Sequence, residues 1–334
     1  MIVPLMPIEL KADPFEARAV LGAGSFGGVG TPKALIGAGL DERGAMDILD
    51  RGVELGLTLI DTAHSYADGE SERVIGRWLR DDAHRGDLVA IVDKVGAFDR
   101  SGEFAADLSP KTVVRCAELS RSRLGVDAVE VVLTHAPDAA TPVKNTLIAF
   151  AELLEQGRAR RWGVSNVNLT GLEEWLVAAD ELGVVSPSLV ENEYSLLVRG
   201  DEAGVIPLCR KRGIGYLAYS PLAGGVLSGK YRRGEPPPAG SRLAIRPSDA
   251  TPLTDAVQDA IGVLSEHATA HGVATAALAL AWVMAKSPTV RPIVGPSRLS
   301  HLDVVASAVA LQLPTERWET ITEAFDGALH AYDA

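Results

Sequence analysis

The stretch GLTLIDTAHSYADGESERVIGRWL, Gly56–Leu79, contains one complete strand, loop and helix. Its apolar run Thr58-Leu59-Ile60 ends on Asp61, a polar loop brings Tyr66 five residues later, and Ser71 and Glu72 open a helical pattern over 70–81. A carboxylate has no place inside a packed strand unless something pairs with it. It does suit the tip of a strand whose last inward residue faces a site.

The same unit recurs on both sides of this stretch. Short β-branched runs near 18–22, 58–62, 89–94, 130–135, 160–164, 188–192, 214–219 and 291–294 alternate with helical patterns near 41–55, 70–81, 110–123, 143–156, 169–182, 202–212 and 273–285. That rhythm marks βαβ units. Eight of them close most simply as an α/β fold of the (β/α)8 TIM barrel type, with functional groups at the C-terminal ends of the strands. The segment 221–250, PLAGGVLSGKYRRGEPPPAGSRLAIRPSDA, interrupts the rhythm with Gly, Pro and basic residues. Because an eighth strand still follows, it reads as a functional loop rather than a linker. An additional helix is expected over 251–272, and two more, near 298–309 and 315–327, follow the last strand. The chain 1–334 then reads as one barrel domain.

Composition narrows the function classes. A formal net charge of -12 on 334 residues repels nucleic acid and anionic lipid over most of the surface, so neither is expected as a partner. Cys116 and Cys209 are the only cysteines, both in helical segments, and supply neither a disulfide framework nor a four-ligand zinc site. The opening MIVPLMPIELKADPF has no basic region followed by an apolar run, and ATAALALAWVMA at 274–285 is shorter than the roughly 18 apolar residues of a membrane span. A cytoplasmic protein is the expectation, with its oligomeric state open.

Three more polar residues sit where Asp61 sits. Lys94 ends VAIVDK, His135 ends VEVVLTH, and Tyr66 lies just beyond Asp61. In a closed barrel these strand ends converge on one mouth. Together they could deliver a proton beside a hydride donor: Lys94 would stabilise the Tyr66 phenolate and ease proton donation, Asp61 would keep Lys94 charged, and His135 would hydrogen-bond a carbonyl oxygen. Two other patterns carry less. GAGSFG at 22–27 fits a dinucleotide fingerprint, yet GVGTPKALIGAG follows where that fingerprint needs an immediate helix. His267 and His271 stand four apart with no third ligand in view, so no metal is expected. His64 is unassigned, and Trp78 and Trp162 read as core.

Several ordered motifs now carry a resemblance. The segments 56–79, DKVG at 93–96, VVLTHAPD at 131–138, RRWGVSNVN at 160–168, ENEYSLL at 191–197 and LAYSPLAGGVLSGKY at 217–231 resemble the aldo-keto reductase superfamily over nearly the full length. The resemblance implies a barrel that uses NADP, with NAD as an alternative, and the catalytic tetrad Asp61, Tyr66, Lys94 and His135. It also implies that Ser165 and Asn166 lie beside the nicotinamide carboxamide, that Tyr219 stacks on the ring, and that Ser220, Pro221, Leu222, Gly224 and Lys230 wrap the pyrophosphate. By the same resemblance Arg242 serves the adenosine end, Gly295, Ser297, Arg298 and His301 its phosphate, and Ser25 and Phe26 the ribose and substrate. Phe26, Phe98 and residues of 221–250 are the substrate-facing candidates.

Two departures stand out. Val304-Val305 replaces the usual Glu-Asn pair, and Glu191 replaces the usual Gln against the carboxamide. Ionised, Glu191 would favour the oxidised cofactor and tilt the protein toward alcohol or lactol oxidation; protonated, or turned to a neighbouring cation, it would not. The expected function is an oxidoreductase reducing small aldehydes or ketones with Tyr66 as general acid. The alternatives are an aldose, lactol or alcohol dehydrogenase, and a cofactor-binding regulatory barrel.

Overall fold

The computed structural model describes residues 16–100, 103–246 and 252–331. The opening fifteen residues, positions 247–250 of the long loop, position 251 of the expected extra helix and the last three residues lie outside the described residues.

Eight parallel strands close into a barrel: β1 (Val20–Gly22), β2 (Leu59–Ala63), β3 (Ala90–Val95), β6 (Val129–Thr134), β7 (Ala159–Ser165), β8 (Leu189–Glu193), β9 (Gly215–Tyr219) and β10 (Val290–Val294), with β1 pairing both β2 and β10. Each lies within two residues of its expected position. Between β3 and the next barrel strand, β4 (Ala97–Arg100) and β5 (Glu103–Ala106) form an antiparallel pair beyond the eight expected strands.

The helices surround the barrel: α1 (Glu42–Glu54), α2 (Glu70–Asp81), α3 (Arg85–Leu88), α4 (Pro110–Leu124), α5 (Val143–Glu155), α6 (Leu169–Leu182), α7 (Val205–Arg212), α8 (Arg242–Ile245), α9 (Asp255–Ala270), α10 (Thr275–Ala285), α11 (Ser300–Ala310) and α12 (Thr315–Leu329). Local chemistry fixes several ends. Asp41 and Asn168 accept from the N–H groups of Gly44 and Gly171, each at 2.8 Å, and Pro110 starts α4, which stops at Gly125 with φ 71°. The expected helix 202–212 is shorter than anticipated. A 3-10 turn, Gly200–Ala203, is separated from α7 by Gly204, where a Cβ would stand 2.9 Å from Leu169.

The strands alternate faces, as period two requires. Leu59, Val92, Val131, Leu133, Leu189, Leu217 and Ile293 fill the barrel interior, whereas Ile60, Ile91, Val132, Trp162, Val164 and Val190 pack against the helices. Trp78 and Trp162 are buried, their indole N–H groups donating to Asp50 Oδ1 at 2.7 Å and the Val185 carbonyl at 2.8 Å. The apolar α10 is buried against α9, α11, β10 and the turn Ala223–Ser228. Among the described residues no single helix is long and apolar enough to cross a membrane.

Candidate active site

The site grows out of that alternation. Two positions beyond the interior residues Leu59, Val92, Leu133, Leu189 and Leu217 stand Asp61, Lys94, His135, Glu191 and Tyr219, which form the polar layer at the C-terminal mouth. The strands therefore place their chemistry one inward step above a dry, packed floor.

Lys94 is the hub. Its Nζ pairs with Asp61 Oδ2 and lies 3.1 Å from Glu191 Oε1. Lys94, Asp61 and Glu191 are 1%, 3% and 2% exposed, so solvent screens little of this. Two carboxylates on one buried ammonium leave one negative charge uncompensated. Burial, and then the Asp61 charge, push Glu191 up to about 8, against the pull of Lys94. Lys94 itself is held well above its ordinary value, because the attractions of Asp61 and Glu191 outweigh its burial. Glu191 Oε2 is buried and has no hydrogen-bond partner.

Tyr66 reaches over this hub from the loop after β2. Its ring centroid lies 5.2 Å from Lys94 Nζ and 5.6 Å from the His135 ring, edge to face. Lys94 pulls the phenol downward, as expected, but burial together with the Asp61 and Glu191 charges outweighs it and the net shift is upward. The phenol is therefore held protonated. Burial and the Lys94 charge push His135 well below the ordinary histidine value, so its imidazole is neutral near pH 7. Ser65 Oγ lies 3.5 Å from His135 Nδ1 and 3.1 Å from Thr31 Oγ1. A hydroxyl donating to Nδ1 leaves the ring proton on Nε2, the nitrogen free to meet a substrate oxygen.

The loop bearing Tyr66 is shaped by backbone that few side chains tolerate. Ala67, Asp68 and Gly69 have φ of 48°, 55° and 84°. Arg123, from the last turn of α4, secures it: Nη1 donates to the His64 carbonyl at 2.9 Å and to Glu72 Oε2 at 2.7 Å. A Cβ at residue 69 would collide with that guanidinium. His64 is a joint of the loop. Its Nε2 accepts from the Ala97 N–H at 3.2 Å, and burial holds its pKa near 4.

The expected cofactor residues fall into two groups around the mouth. Beside the hub, Ser165 pairs in register with Glu191, Tyr219 donates to Asn166 Oδ1 at 2.6 Å, and Asn166 Nδ2 donates to the His135 carbonyl at 2.8 Å. Past β9, Ser220 with φ 51° and Pro221 lead through Leu222 into the turn Ala223–Ser228, where Gly224 and Gly225 have φ of 65° and 93°. Any Cβ at Gly225 would stand 2.7 Å from Lys230 Nζ, and one at Gly224 would lie 3.6 Å from Arg242 Cγ. Ser25 Oγ donates to the Pro296 carbonyl at 3.0 Å, tying the loop after β1 to the one after β10, where Gly295 is exposed.

The second group is rich in donors. The Ser297 N–H faces His301 Nδ1 at 3.3 Å and Arg298 Nε faces its Nε2 at 2.9 Å. A neutral imidazole can accept at only one of these nitrogens. Burial, and then the Arg298 and Lys230 charges, lower the His301 pKa. This surplus of donors and positive charge suits a phosphate.

One substrate-facing expectation is corrected. Phe26 is 0% exposed, packed in the core because the loop after β1 folds back onto Leu40. Phe98 lies edge-on to His64, their centroids 5.0 Å apart, while Phe104 on β5 is 56% exposed and reaches the His135 ring at 5.7 Å. Phe104, Ser65 and Arg123 escaped the sequence reading. Phe98 and Phe104 on either side of the sequence Asp-Arg-Ser-Gly-Glu were the available signal for the strand pair.

The family model described as the aldo/keto reductase family matches residues 19–326. A probable voltage-gated potassium channel subunit beta of Arabidopsis thaliana is 34% identical over 275 residues, 81% of this chain and 83% of that protein. An L-glyceraldehyde 3-phosphate reductase of Escherichia coli O157:H7 is 30% identical, over 86% of this chain and 85% of the relative. The solved structure of an aldo/keto reductase from Klebsiella pneumoniae in complex with NADP and acetate matches with a TM-score of 0.69 at 26% identity, over 92% of this chain and 91% of that one.

Proposed function

The chain belongs to the aldo/keto reductase family, and from that premise we propose that it is an NADP(H)-dependent oxidoreductase that reduces aldehydes or ketones to alcohols, with Tyr66 as general acid. The observation that carries the reading is a buried Asp61–Lys94 pair beneath a phenol held protonated and beside a neutral imidazole, all at one barrel mouth. When bound, the nicotinamide cofactor would supply the hydride.

The chain's own residues do the rest. Tyr66 gives its phenolic proton to the substrate oxygen, and Lys94, kept cationic by Asp61, stabilises the phenolate left behind until solvent restores the proton. His135, neutral, donates from Nε2 to the same oxygen and orients the carbonyl. Ser165, Asn166, Glu191 and Tyr219 would hold the nicotinamide end. Ser220, Pro221, Leu222, Gly224, Lys230 and Arg242 would follow the pyrophosphate, and Gly295, Ser297, Arg298 and His301 the adenosine phosphate. The donor surplus at Lys230, Arg298 and His301 fits that last group.

Protonation separates reduction from oxidation. Oxidising an alcohol needs the phenolate as base, and a phenol pushed upward supplies little of it near neutral pH. Glu191, at about 8, is mostly protonated there too in the free protein, so it carries little negative charge before a cofactor binds. Turnover of a carbonyl and alcohol panel with NADPH, NADH and their oxidised forms tests the reading: reduction with NADPH should dominate at pH 7. A panel on which only alcohols turn over would replace it with the dehydrogenase reading. The likeness to channel beta subunits favours a second reading, a barrel whose bound cofactor serves a partner. Product formed in one slow turnover and not beyond would support it.

A further inference from the structure

Glu191, in the polar layer, has a buried oxygen, Oε2, without a hydrogen-bond partner. Resting on the function proposed above, we propose that Glu191 is a redox-linked proton site: it keeps its proton when reduced cofactor binds and releases it to solvent when the positively charged oxidised nicotinamide binds.

The geometry supplies the coupling. Glu191 Oε1 lies 3.1 Å from Lys94 Nζ, whose positive charge Asp61 already neutralises, and Oε2 is buried without a partner. The carboxyl cannot swing away into water, because it is 2% exposed and its strand is pinned on both sides, by the Ser165 register on β7 and the Leu217 register on β9. Ionising it in the free protein would leave a buried cluster with a net charge of minus one, which is unfavourable in a low-dielectric site. A positive ring entering the mouth supplies the missing counter-charge. The Glu191 O–H bond then breaks, the proton leaves to solvent, and the cluster returns to balance.

The other titratable groups facing Glu191 do not stand in for it near neutral pH. From β2 and β3 come Asp61 and Lys94, already paired. From the loop after β2 comes Tyr66 and from β9 Tyr219, both phenols pushed upward by burial. His135, past β6, is pushed well below its ordinary value and is already neutral, so it has no imidazolium proton to release. On β8 itself, Glu193 is exposed to solvent. Asp93, also raised, points to the helix layer. With Glu191 near 8 in the free protein, the release falls at and below about pH 8.

Calorimetric titration of the full chain with NADP+ and with NADPH, each in phosphate and in Tris, reads the protons exchanged on binding from the difference in buffer ionisation heat. Both cofactors carry the same phosphates, so proton exchange at Lys230, Arg298 and His301 cancels between them. At pH 7 the wild type should release on the order of half a proton or more with NADP+ beyond that with NADPH. Correspondingly, the Kd for NADP+ should fall several-fold more steeply than that for NADPH between pH 6 and 8, up to about tenfold per pH unit. Glu191→Gln, which keeps the shape and the Lys94 contact, should bind both and abolish the difference.

Equal proton counts for the two cofactors in the wild type overturn the proposal, whether or not the variant folds. A difference that persists in Glu191→Gln overturns it as well. If neither cofactor binds, the proposed function itself falls, and this inference with it.

Discussion

Arg123→Met tests how the Tyr66 loop is held. Arg123 is the ion-pair partner of Glu72, which is 0% exposed, and it also satisfies the His64 carbonyl. Removing the guanidinium leaves a carboxylate buried beside Asp93, which burial and the Glu72 charge already push well upward. Breaking one half of such a pair typically costs about 3–5 kcal/mol. A cap can be set independently. Holding a carboxyl protonated at pH 7 costs about 1.4 kcal/mol per pH unit above the ordinary Glu value near 4.3, hence ~4 kcal/mol at most, and ~1 kcal/mol at pH 5. Urea unfolding of Arg123→Met should therefore show a loss of roughly 3–4 kcal/mol at pH 7 that shrinks to about 1 at pH 5. The double variant Glu72→Gln/Arg123→Met, with no charge left to strand, should recover much of the loss. Because the loop positions the general acid, kcat of the single variant should drop about tenfold or more. A pH-independent loss under 1 kcal/mol, or a double variant no better than the single, would refute the reasoning.

Three further outcomes are expected. Tyr66→Phe should lower kcat by about 10²–10⁴ while fluorescence titration finds NADPH affinity within a few-fold of wild type. The proton that Glu191 retains contributes stability present below the unfolded carboxyl value and lost as pH rises through about 8. Wild-type Tm should accordingly fall further between pH 6 and pH 9 than that of Glu191→Gln, and parallel curves would contradict the assignment. Phe104→Ala, removing the exposed ring against His135, should raise KM for aromatic aldehydes several-fold and leave KM for short polar ones little changed, as steady-state kinetics on both classes would measure.

The barrel was legible because each strand writes its face into the sequence. Leu59-Ile60-Asp61 and Val92-Asp93-Lys94 alternate inward and outward, so the inward polar residue above an inward apolar one marks the mouth. Helix ends were legible where a cap is local, as at Asp41 and Asn168. The strand pair β4 and β5 was not, because its aromatic residues find their partners, His64 and His135, on other loops. Phe26 was misplaced for a related reason: a glycine-rich loop has no period to say which way its side chains point. Protonation was the least legible. Lys94 lowers the Tyr66 phenol as its proximity implies, but burial, which no single strand shows, together with the Asp61 and Glu191 charges sets the net upward shift.

The central claim is direct hydride transfer to a carbonyl carbon with proton delivery by Tyr66. It is tested most directly by reacting NADPH deuterated at the transferring nicotinamide position with an aldehyde in ordinary water, and locating the label by NMR. Deuterium retained on the carbinol carbon of the product, at a rate that collapses in Tyr66→Phe, is the expected result. Label lost to solvent, or a Tyr66→Phe rate equal to that of the wild type, would contradict the account.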